Sequence, residues 1–423
     1  MNVSAAAERR VIMDTKTFES CKNILKYVSE GSAFYQNKYK RDGFDISSVK
    51  EIDDFSKIPF TTKDELRDAY PLGLRATDKK NIVRIHSSSG TTGSPVIIPY
   101  TAQDVSDWAE MFARCYETAG ITNEDVIQIT PGYGLWTAGI GFQAGAERLG
   151  AMVVPMGPGN TDKQLKMMVD LESTVFCATS SYALLIAEEV QKRGISYKIK
   201  LKKGIIGSER WGDLMRGRIA SELGIELFDI YGLTEIYGPG IAIDCHEHSG
   251  MHYWSDYVYF EIIDSVTGEV LPEGETGELV ITTFRKQGAP LIRYRTHDIT
   301  RIIPGKCPCG SPYPRIDRIV GRTDDMVKVK GVNIFPGQID DVLKDIDGVS
   351  SEYMIEINHI DGKDHMKLSV EKKSGVCAEN VAAAVEDVFK KRIGIKIEAN
   401  VVNIGELPRS EKKSKRIIDN RYN

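Results

Sequence analysis

The feature that most constrains the fold is an alternation of short apolar segments with amphipathic ones between about residues 81 and 230. VVPM at 153–156, VFCA at 175–178 and GIIG at 204–207 have the length and composition of buried strands. QLKMMVDL and YALLIAEEVQKR, which lie between them, place apolar residues at helical spacing. Such alternation is typical of helices packed on a parallel sheet, so it predicts an α/β fold with a largely parallel sheet. Residues 16–40, ahead of this stretch, are predicted to be helical.

The second half of the chain has a different pattern. From 251 to 303, β-branched and aromatic residues alternate with Gly and Pro turns, which predicts a β-rich subdomain over about 251–320. After about residue 325, three strand-like segments and the helix-like VAAAVEDVFKKR predict a separate small α+β domain. The predicted class is therefore α/β, with a large N-terminal domain of parallel-rich sheets at 1–323 and a small α+β C-terminal domain at 324–423.

Charge and composition narrow the classes of partner. The 423 residues carry a formal charge of −5, which argues against nucleic acid or an anionic membrane as the main partner. No apolar run approaches the ~20 residues of a membrane span, and the N-terminus is charged where a signal peptide would be apolar. Seven cysteines do not make a disulfide scaffold at this length, so a cytoplasmic location is expected.

The strongest local motif is the Ser-Ser-Ser-Gly-Thr-Thr-Gly-Ser-Pro run at 87–95, directly after the apolar NIVRI. Small residues let successive N–H groups and hydroxyls surround phosphate oxygens. The run is not a P-loop of the GxxxxGK[ST] kind, because the lysine is absent. Taken alone, it fits a flexible linker as well as it fits a phosphate loop.

Four further motifs change that balance. They are Tyr-Gly-Leu-Thr-Glu at 231–235, Tyr-Arg-Thr-His-Asp at 294–298, Gly-Arg-Thr-Asp-Asp at 321–325 and Leu-Pro-Arg-Ser-Glu-Lys-Lys-Ser-Lys-Arg at 407–416. In this order and spacing, they resemble the adenylate-forming superfamily, which includes acyl-CoA synthetases and firefly luciferase. Within it the chain resembles the phenylacetate-CoA ligases, through YGLWTAGIGFQAGAERLGA, GPGNT, IDCHEHSGMHYW, PLIRYRTHD, CPCG, DDMVKVKGVNIFP and LPRSEKKSKR.

The resemblance implies a set of nucleotide-binding residues. The β- and γ-phosphates of ATP would be held by Ser87, Ser88, Ser89, Gly90, Thr91, Thr92 and Gly93. The adenine side would be formed by Ser208, Glu209, Arg210, Asp229, Ile230, Tyr231 and Gly232. Thr234 would bond the α-phosphate, and Glu235 would bind Mg²⁺, since a hard cation prefers carboxylate oxygen. Asp298 would accept from the ribose hydroxyls with Arg322 on the other side, although a surface ion pair is the ordinary role of such residues.

The resemblance also implies that Lys413 bridges the carboxylate and the α-phosphate during adenylation. Two anions meet in that step, and a positioned ammonium lowers the barrier more than it lowers the ground state. The alternative is a solvated basic tail, because Lys412, Lys415 and Arg416 lie beside it. The chain departs from the family twice: Ser94 replaces the usual loop lysine, and Lys412 replaces a glycine.

The acid-binding pocket is predicted from aromatic and apolar residues that match the family's acyl pocket. They are Tyr133, Gly134, Leu135, Trp136, Ile236 and Tyr237. The indole of Trp136, where phenylalanine is commoner in the family, would shrink the pocket or stack on an aryl acid. Ordinary core packing is the competing explanation.

A zinc site is predicted from three cysteines and a histidine. Cys307-Pro-Cys309-Gly forms a tight turn with two thiols, and the resemblance adds Cys245 and His252. Together they would make a closed, structural Zn²⁺ site. His246 and His248 are rival ligands, and the alternative is a turn with unrelated thiols.

These observations lead to a two-step ligase as the expected function. A carboxylic acid, most simply an aryl or arylacetic acid, would react with MgATP to give acyl-AMP and pyrophosphate, and coenzyme A would then give the thioester. The C-terminal domain would rotate at Asp324 between the two steps, as the resemblance implies. An adenylating ligase that serves a carrier-protein thiol and a non-catalytic nucleotide-binding paralogue are the alternatives. The sequence leaves a homodimer open.

Overall fold

A computed structural model describes residues 13–88, 94–360, 363–409 and 416–421. None of the helices in these ranges combines the length and the apolar character that a membrane crossing requires. The chain forms two compact units, and each contains two separate segments. The first unit comprises Met1–Gly157 and Phe228–Ile319, and the second comprises Pro158–Leu227 and Val320–Asn423. The domain boundary expected between 323 and 324 stays a prediction.

The elements are as follows. The helices are α1 Thr15–Gly31, α2 Ala33–Arg41, α3 Lys63–Asp68, α4 Ala102–Thr118, α5 Ala138–Leu149, α6 Thr161–Asp170, α7 Ser180–Lys192, α8 Asp213–Leu223, α9 Pro336–Leu343 and α10 Ala378–Arg392. The strands are β1 Ile82–Ser87, β2 Ile97–Thr101, β3 Val126–Ile129, β4 Met152–Pro155, β5 Val175–Thr179, β6 Lys203–Gly207, β7 Glu226–Leu233, β8 Gly238–Asp244, β9 Met251–Tyr253, β10 Val258–Ile263, β11 Gly277–Thr283, β12 Tyr294–Thr300, β13 Ile302–Ile303, β14 Arg315–Ile316, β15 Gly321–Arg322, β16 Val327–Val329, β17 Val332–Ile334, β18 Val349–Ile360, β19 Lys363–Lys372, β20 Glu398–Asn403 and β21 Ile417–Asp419. Short 3₁₀ turns lie at Ile46–Ser48, Ile52–Lys57, Lys79–Asn81 and Ser196–Lys198.

The N-terminal segment forms two helices where the sequence pattern predicts one. Ser32 separates α1 from α2, with extended backbone angles of φ −109° and ψ 103°. Its hydroxyl accepts a hydrogen bond from the N–H of Tyr35, as an N-cap residue does. The apolar residues of both helices pack into one core with Phe284 and Ile292. The hydrophobic pattern therefore continues across the break and conceals it.

The first unit contains the strands that carry most of the motifs. β3 and β4 are parallel, whereas β7, β8, β9, β14 and β13 pair antiparallel in that order. β10, β11 and β12 form an antiparallel group, so the predicted β-rich segment is present. β1 and β2 form a hairpin around the Ser/Gly run. Motif residues 231–235 and 298 thus lie at or just beyond strands β7 and β12.

The second unit contains two hydrophobic cores. In one, α6, α7 and α8 pack with the parallel pair β5 and β6, and Phe176, Ile186 and Ile219 are fully buried there. In the other, β20, β19, β18 and β21 form a sheet in that order, which packs with α9 and α10. Both the α/β alternation and the small α+β arrangement predicted from the sequence are therefore present.

Candidate active site and metal centre

The base of the Ser/Gly run is closed by backbone pairing. Ser88 donates its N–H to the Val96 carbonyl at 3.0 Å, and its hydroxyl accepts from the Val96 N–H at 3.0 Å. Ser87 donates its N–H to the Leu135 carbonyl at 2.9 Å. Ser89, Gly90, Thr91, Thr92 and Gly93 lie outside the described residues. These bonds join the described residues on either side of the run, and its phosphate role stays a prediction.

The predicted adenine-side and ribose-side residues of the first unit are directly bonded. The Tyr231 hydroxyl, at the end of β7, donates to Asp298 Oδ2 in β12 at 2.6 Å. Asp298 is buried, and it follows His297, whose φ is +65°. Left-handed backbone at a residue other than glycine is uncommon and is concentrated at functional sites. The contact brings together two motifs that are far apart in the sequence, while Asp229, Ile230 and Gly232 lie beside Tyr231 in the same strand.

Thr234 and Glu235 follow the end of β7. The Thr234 hydroxyl lies 3.4 Å from that of Thr137, which precedes α5. The side chain of Glu235 is 7 % exposed, and its Oε1 lies 3.3 Å from Nζ of Lys63. Lys63 begins α3, after the Thr62 capping box. Lys63 was not predicted from the sequence, because nothing in its local pattern distinguishes it from a solvated helix lysine.

A buried lysine holds the backbone directly after Glu235. Nζ of Lys286 donates to the carbonyl of Ile236 and lies 3.5 Å from the carbonyl of Glu235. The rings of Tyr100 and Tyr237 lie 4.5 and 4.7 Å from the same nitrogen. Burial lowers the pKa of Lys286 to about 7, against the opposing effects of Asp104 and Glu235. This residue was also missed, because its partners are remote in the sequence.

The predicted acid-pocket residues have two kinds of environment. Ile236 and Tyr237 are fully buried, whereas Leu135 and Trp136 are 56 % and 47 % exposed. Gly134, with φ +91°, forms the turn before Leu135, and Tyr133 is half-buried. Core packing therefore accounts for the burial of Ile236 and Tyr237 but not for the exposed indole of Trp136.

His86, at the end of β1, connects this loop to an aromatic cluster. Its Nδ1 lies 3.3 Å from the Leu135 carbonyl, and since a carbonyl only accepts, that nitrogen carries the proton. Its ring makes edge contacts with Tyr100 at 5.2 Å and Trp108 at 5.6 Å. Burial lowers the pKa of His86 to about 4, so the imidazole is neutral at pH 7. His86 was not predicted as a site residue from the sequence, although it adjoins the Ser/Gly run.

The second unit contains the other predicted nucleotide residues. Ser208 follows β6 with φ +69° and is exposed. The Glu209 carboxylate accepts from the Ser180 hydroxyl at 2.9 Å and the Ser181 N–H at 3.0 Å, at the start of α7. Arg210 donates to the Gly337 carbonyl at 3.0 Å, and its guanidinium lies 3.4 Å from Asp340. Of Ser208, Glu209 and Arg210, only Ser208 is exposed.

The predicted ribose-side arginine and the predicted hinge residue form an ion pair. Two guanidinium nitrogens of Arg322 donate to the two oxygens of Asp324, at 2.8 and 2.9 Å. The side chains are 30 % and 47 % exposed, so solvent screens the pair. Neither the ribose role of Arg322 nor the hinge role of Asp324 follows from this pair, and both stay predictions.

Lys413, together with Lys412 and Lys415, lies outside the described residues. The arginines that flank this segment are described. Arg409 donates to Glu188 at 2.7 Å and to Glu371 at 2.8 Å. Arg416 lies 3.3 Å from Asp340 and 3.2 Å from Glu352. The two arginines that flank the predicted catalytic segment are therefore paired with carboxylates of the second unit, of which Glu352 and Glu371 are buried and Glu188 and Asp340 are partly exposed.

The four predicted zinc ligands lie together in the first unit. The ligand atoms of Cys245, His252, Cys307 and Cys309 are all within 4.8 Å of one another. Sγ of Cys245 lies 3.8 Å from that of Cys307, and Sγ of Cys309 lies 3.3 Å from Nε2 of His252. Tetrahedral zinc with Zn–S bonds of ~2.3 Å places two sulfurs about 3.8 Å apart. The spacing of this group therefore fits a closed zinc site.

The protonation states of His252 and Cys307 suit metal binding, whereas the Cys245 thiol would have to lose its proton when a metal binds. His252 Nδ1 lies 2.8 Å from the Tyr313 carbonyl, so Nδ1 carries the proton and Nε2 presents its lone pair to the thiols. Burial raises the pKa of Cys307, but hydrogen bonds with Ser249 and Cys309 outweigh it and lower the pKa to about 6. Burial raises the pKa of Cys245 to about 12, and the neighbouring thiols add to the increase.

The rival histidines lie apart from this group. His248 Nδ1 lies 2.8 Å from the Asp244 carboxylate, and His246 Nε2 lies 3.4 Å from that of Glu247. Neither belongs to the cluster that the structure forms among its described residues. Among the three candidate histidines, the geometry therefore selects His252.

Comparison with protein families places this arrangement in a known class. Residues 16–284 match the family model described as AMP-binding enzyme. Residues 331–421 match the model described as AMP-binding enzyme C-terminal domain. The chain therefore belongs to the AMP-binding enzymes of the adenylate-forming superfamily.

Curated relatives define the family more narrowly. The chain is 40 % identical over 406 residues to the phenylacetate-coenzyme A ligase of Pseudomonas putida, and the match covers 94 % of this chain and 92 % of that protein. It is 39 % identical over 404 residues to the phenylacetate-coenzyme A ligase of Escherichia coli (strain K12), and that match covers 93 % of this chain and 92 % of the relative. The chain belongs to the phenylacetate-CoA ligase family.

A solved structure supports the fold assignment. The crystal structure of 2-hydroxyisobutyryl-CoA ligase in the postadenylation state, in complex with R3-HIB-AMP, matches with a TM-score of 0.88 at 26 % identity. The match covers 97 % of this chain and 90 % of that one. The fold is thus mixed α/β, with a large N-terminal AMP-binding domain and a small C-terminal domain, as the sequence predicts.

Proposed function

We propose that this protein is an ATP-dependent acid–CoA ligase that activates an arylacetic acid as its acyl-adenylate. The observation that carries the proposal is the 37–40 % identity to four phenylacetate-CoA ligases, each of which matches over 92 % or more of its own length. The geometry agrees with it, since Tyr231, Asp298, Thr234 and Glu235 lie in the same unit as the closed base of the Ser/Gly run, and Tyr231 bonds Asp298 directly.

The proposed reaction has two displacement steps. A carboxylate oxygen of the acid attacks the α-phosphorus of ATP, the bond to the β-phosphate oxygen breaks, and pyrophosphate leaves. The thiol sulfur of CoA then attacks the acyl carbon, loses its proton, and displaces AMP. The acid becomes the thioester, and no electrons are exchanged with an external donor.

Different residues of the first unit are assigned to the base, the ribose and the phosphates of ATP. Tyr231 covers the base, and Asp298 accepts from the ribose hydroxyls while the Tyr231 hydroxyl fixes its orientation. Thr234 donates to the α-phosphate, and the Ser/Gly run surrounds the remaining phosphates. Lys413, which lies outside the first unit and outside the described residues, would support the first step by bringing an ammonium to the meeting carboxylate and phosphate.

Two metal ions fit the residues present. Glu235 would hold Mg²⁺, because its buried Oε1 accepts no hydrogen bond from the described residues and a hard cation prefers carboxylate oxygen; when bound, the ion would neutralise phosphate charge. Zn²⁺ would be held by Cys245, His252, Cys307 and Cys309, where it would fix loops of the β-rich segment without a part in catalysis. A homodimer and a cytoplasmic location remain predictions from the sequence.

The preference for an aryl group rests on the environment of Trp136 and Tyr133. The indole is 47 % exposed, although large aromatic side chains are usually buried. An exposed aromatic face gains area and favourable ring contacts when an aryl ligand stacks on it. A short aliphatic acid cannot make those contacts.

The first prediction tests the function itself. With a panel of acids, we expect AMP and pyrophosphate to form only when acid is present, and acyl-CoA to form when CoA is added. Arylacetic acids should give a kcat/KM about tenfold or more above that of acetate or butyrate, since one ring contact contributes ~0.5–1.5 kcal/mol in addition to the area it buries. The measurement is liquid chromatography of nucleotides and thioesters.

Three outcomes of the panel would contradict the proposal. Release of ADP would reject the mechanism, and equal turnover of short aliphatic acids would reject the acid. Pyrophosphate release without thioester, followed by acyl transfer to a carrier-protein thiol, would identify a different acceptor.

The second prediction concerns Asp298. We expect Asp298→Asn to raise the KM for ATP by about 10- to 100-fold, because hydrogen bonds to a charged group contribute ~1.5–3 kcal/mol. The KM for the acid should change little. Steady-state pyrophosphate release at varied ATP measures the effect.

The matched variant is Tyr231→Phe, which removes the 2.6 Å bond to Asp298 but leaves the carboxylate in place. It should raise the KM for ATP by a smaller factor, about 3- to 10-fold, because a single bond is lost. An unchanged KM for ATP in Asp298→Asn would show that the carboxylate does not contact the nucleotide.

A further inference from the structure

Lys286 is a fully buried lysine whose amino group has no carboxylate partner among the residues that the structure describes. Its side chain is 0 % exposed. No carboxylate oxygen of the described residues lies within 4.0 Å of its Nζ, the distance that defines an ion pair. Buried lysines are rare unless they are paired, because removing the ammonium from water is costly. By contrast Lys38, also buried in the first unit, is paired with both Asp42 and Glu65.

The partners that Lys286 does have belong to a single backbone segment. Its Nζ donates to the carbonyl of Ile236 and lies 3.5 Å from that of Glu235. The Tyr100 hydroxyl donates to the next carbonyl, that of Tyr237, at 2.9 Å. Three consecutive carbonyls are thus held by two side chains, and the Tyr100 ring itself lies 4.5 Å from Nζ of Lys286.

The turn that carries Lys286 is itself fixed by a buried carboxylate. Asp104, 0 % exposed at the start of α4, accepts from the N–H groups of Gln287 at 2.7 Å and Gly288 at 2.8 Å. A side chain at Gly288 would collide with the Pro99 carbonyl at 2.2 Å, so the turn packs closely against β2. The position of the Lys286 amino group is therefore set independently of the segment that it contacts.

We infer that Lys286 is a positioning residue, which acts by fixing the 235–237 backbone and so the groups that bind nucleotide and acid. This inference rests on the proposed function, because that segment begins with the magnesium-binding Glu235 and ends with the acid-pocket residues Ile236 and Tyr237. Thr234 precedes the segment by one residue. A displacement of about 1 Å at such groups can cost ~10²-fold in rate.

Packing alone does not explain this residue. Methionine has nearly the same length, and it fills a buried space without the cost of removing an ammonium from water. What lysine adds is a hydrogen-bond donor, which bonds the Ile236 carbonyl and lies 3.5 Å from that of Glu235. That donor acts on the geometry of the segment, which is why its loss should change binding constants.

The test compares Lys286→Met and Lys286→Gln with the wild-type protein. In Lys286→Met we expect the KM for ATP and the KM for the acid to rise together, and kcat/KM for pyrophosphate exchange to fall about 10²-fold. Lys286→Gln keeps one donor for the carbonyls, so its constants should lie between those of wild type and Lys286→Met. Calorimetric titration of MgATP should show the same order of affinities.

A merely structural role predicts a different result. Partial unfolding lowers the concentration of active enzyme, which reduces the apparent kcat but leaves both KM values unchanged. Unchanged KM values and MgATP affinity in folded Lys286→Met would therefore overturn the inference. Thermal unfolding curves establish how much of each variant is folded.

Two further variants complete the experiment. Gln287→Ala alters the next residue of the same turn, whose side chain contacts the Thr101 hydroxyl at 3.1 Å, and it should leave the KM values unchanged. Tyr100→Phe removes the donor to the Tyr237 carbonyl, and it should raise the KM for the acid by about 3- to 10-fold. If neither Lys286 variant folds, an unchanged KM in Tyr100→Phe overturns the inference.

The failure of this inference is distinguishable from failure of the proposed function. If wild-type protein forms no acyl-CoA from any acid, the function is wrong, whatever the variants do. The MgATP titration still tests Lys286 in that case, because it needs neither acid nor CoA.

Discussion

Replacing Lys413 with alanine is expected to reduce acid-dependent pyrophosphate exchange by about 10²–10³-fold, which corresponds to ~3–4 kcal/mol of transition-state stabilisation. The reason is that adenylation brings a carboxylate toward a polyphosphate, and a positioned ammonium offsets the repulsion where it is largest. The second step has no such encounter, because an uncharged acyl carbon is attacked by a thiol. Supplied acyl-AMP and CoA should therefore give thioester at near the wild-type rate.

The neighbouring lysines provide the matched controls. Lys412→Ala and Lys415→Ala remove the same charge from the same segment, and each should change either half-reaction by less than about threefold, as expected for solvated charges. A large loss in Lys412→Ala instead would move the catalytic role by one residue. Mild effects in all three variants would show that the basic segment has no specific role in adenylation.

Much of the fold was predictable because its signals are local. The strands GIIG and VFCA are short apolar runs, and the helix over 180–192 has a clear amphipathic pattern, so burial on one or two sides determines their structure. The break at Ser32 was missed for a related reason. Apolar residues at helical spacing continue on both sides of it, and the N-cap hydroxyl is informative only once the break is known.

The site was predictable where chemistry and motif coincide in a few residues. Tyr231 and Asp298 were each predicted from their own motif, but the 2.6 Å bond between them was not, because it depends on how β7 and β12 approach each other. Lys63 and Lys286 were missed for that reason. Each contacts Glu235 or its neighbour from a remote part of the chain, and neither has a local signature.

The group of Cys245, His252, Cys307 and Cys309 shows most clearly which contacts the sequence predicts and which only the structure reveals. Cys307 and Cys309 were predictable from residue type, since Cys307-Pro-Cys309-Gly holds two thiols in one turn, whereas Cys245 and His252 came from the family resemblance. The choice among His246, His248 and His252 depends on side-chain direction, which spacing does not reveal. The structure selects His252, because the Tyr313 carbonyl lies 2.8 Å from its Nδ1 and so directs Nε2 toward the thiols, whereas the ring of His248 is bonded to Asp244.

The same group provides the second large prediction, which is one tightly bound zinc per chain and its loss in Cys307→Ser. Structural zinc sites in small peptides have apparent binding free energies of ~10–16 kcal/mol at neutral pH. If about 5 kcal/mol of this stabilises the folded protein, loss of the metal lowers Tm by about 10 °C or more, at ~2–4 °C per kcal/mol. Elemental analysis of protein purified without chelators, together with thermal unfolding, measures both effects.

The control for this experiment is Cys377→Ser, because Cys377 is an exposed thiol outside the group. It should keep its zinc and its Tm, so that any change in Cys307→Ser is due to the ligand and not to the general loss of a thiol. Since four protein ligands leave zinc no open position, adenylation per folded molecule should be nearly normal in the zinc-free protein. Wild-type protein without stoichiometric zinc would contradict the site, and a zinc-free variant with an unchanged Tm would contradict its structural role. If adenylation ceased in zinc-free protein that remained folded, the metal would have a part in catalysis that a closed site does not allow.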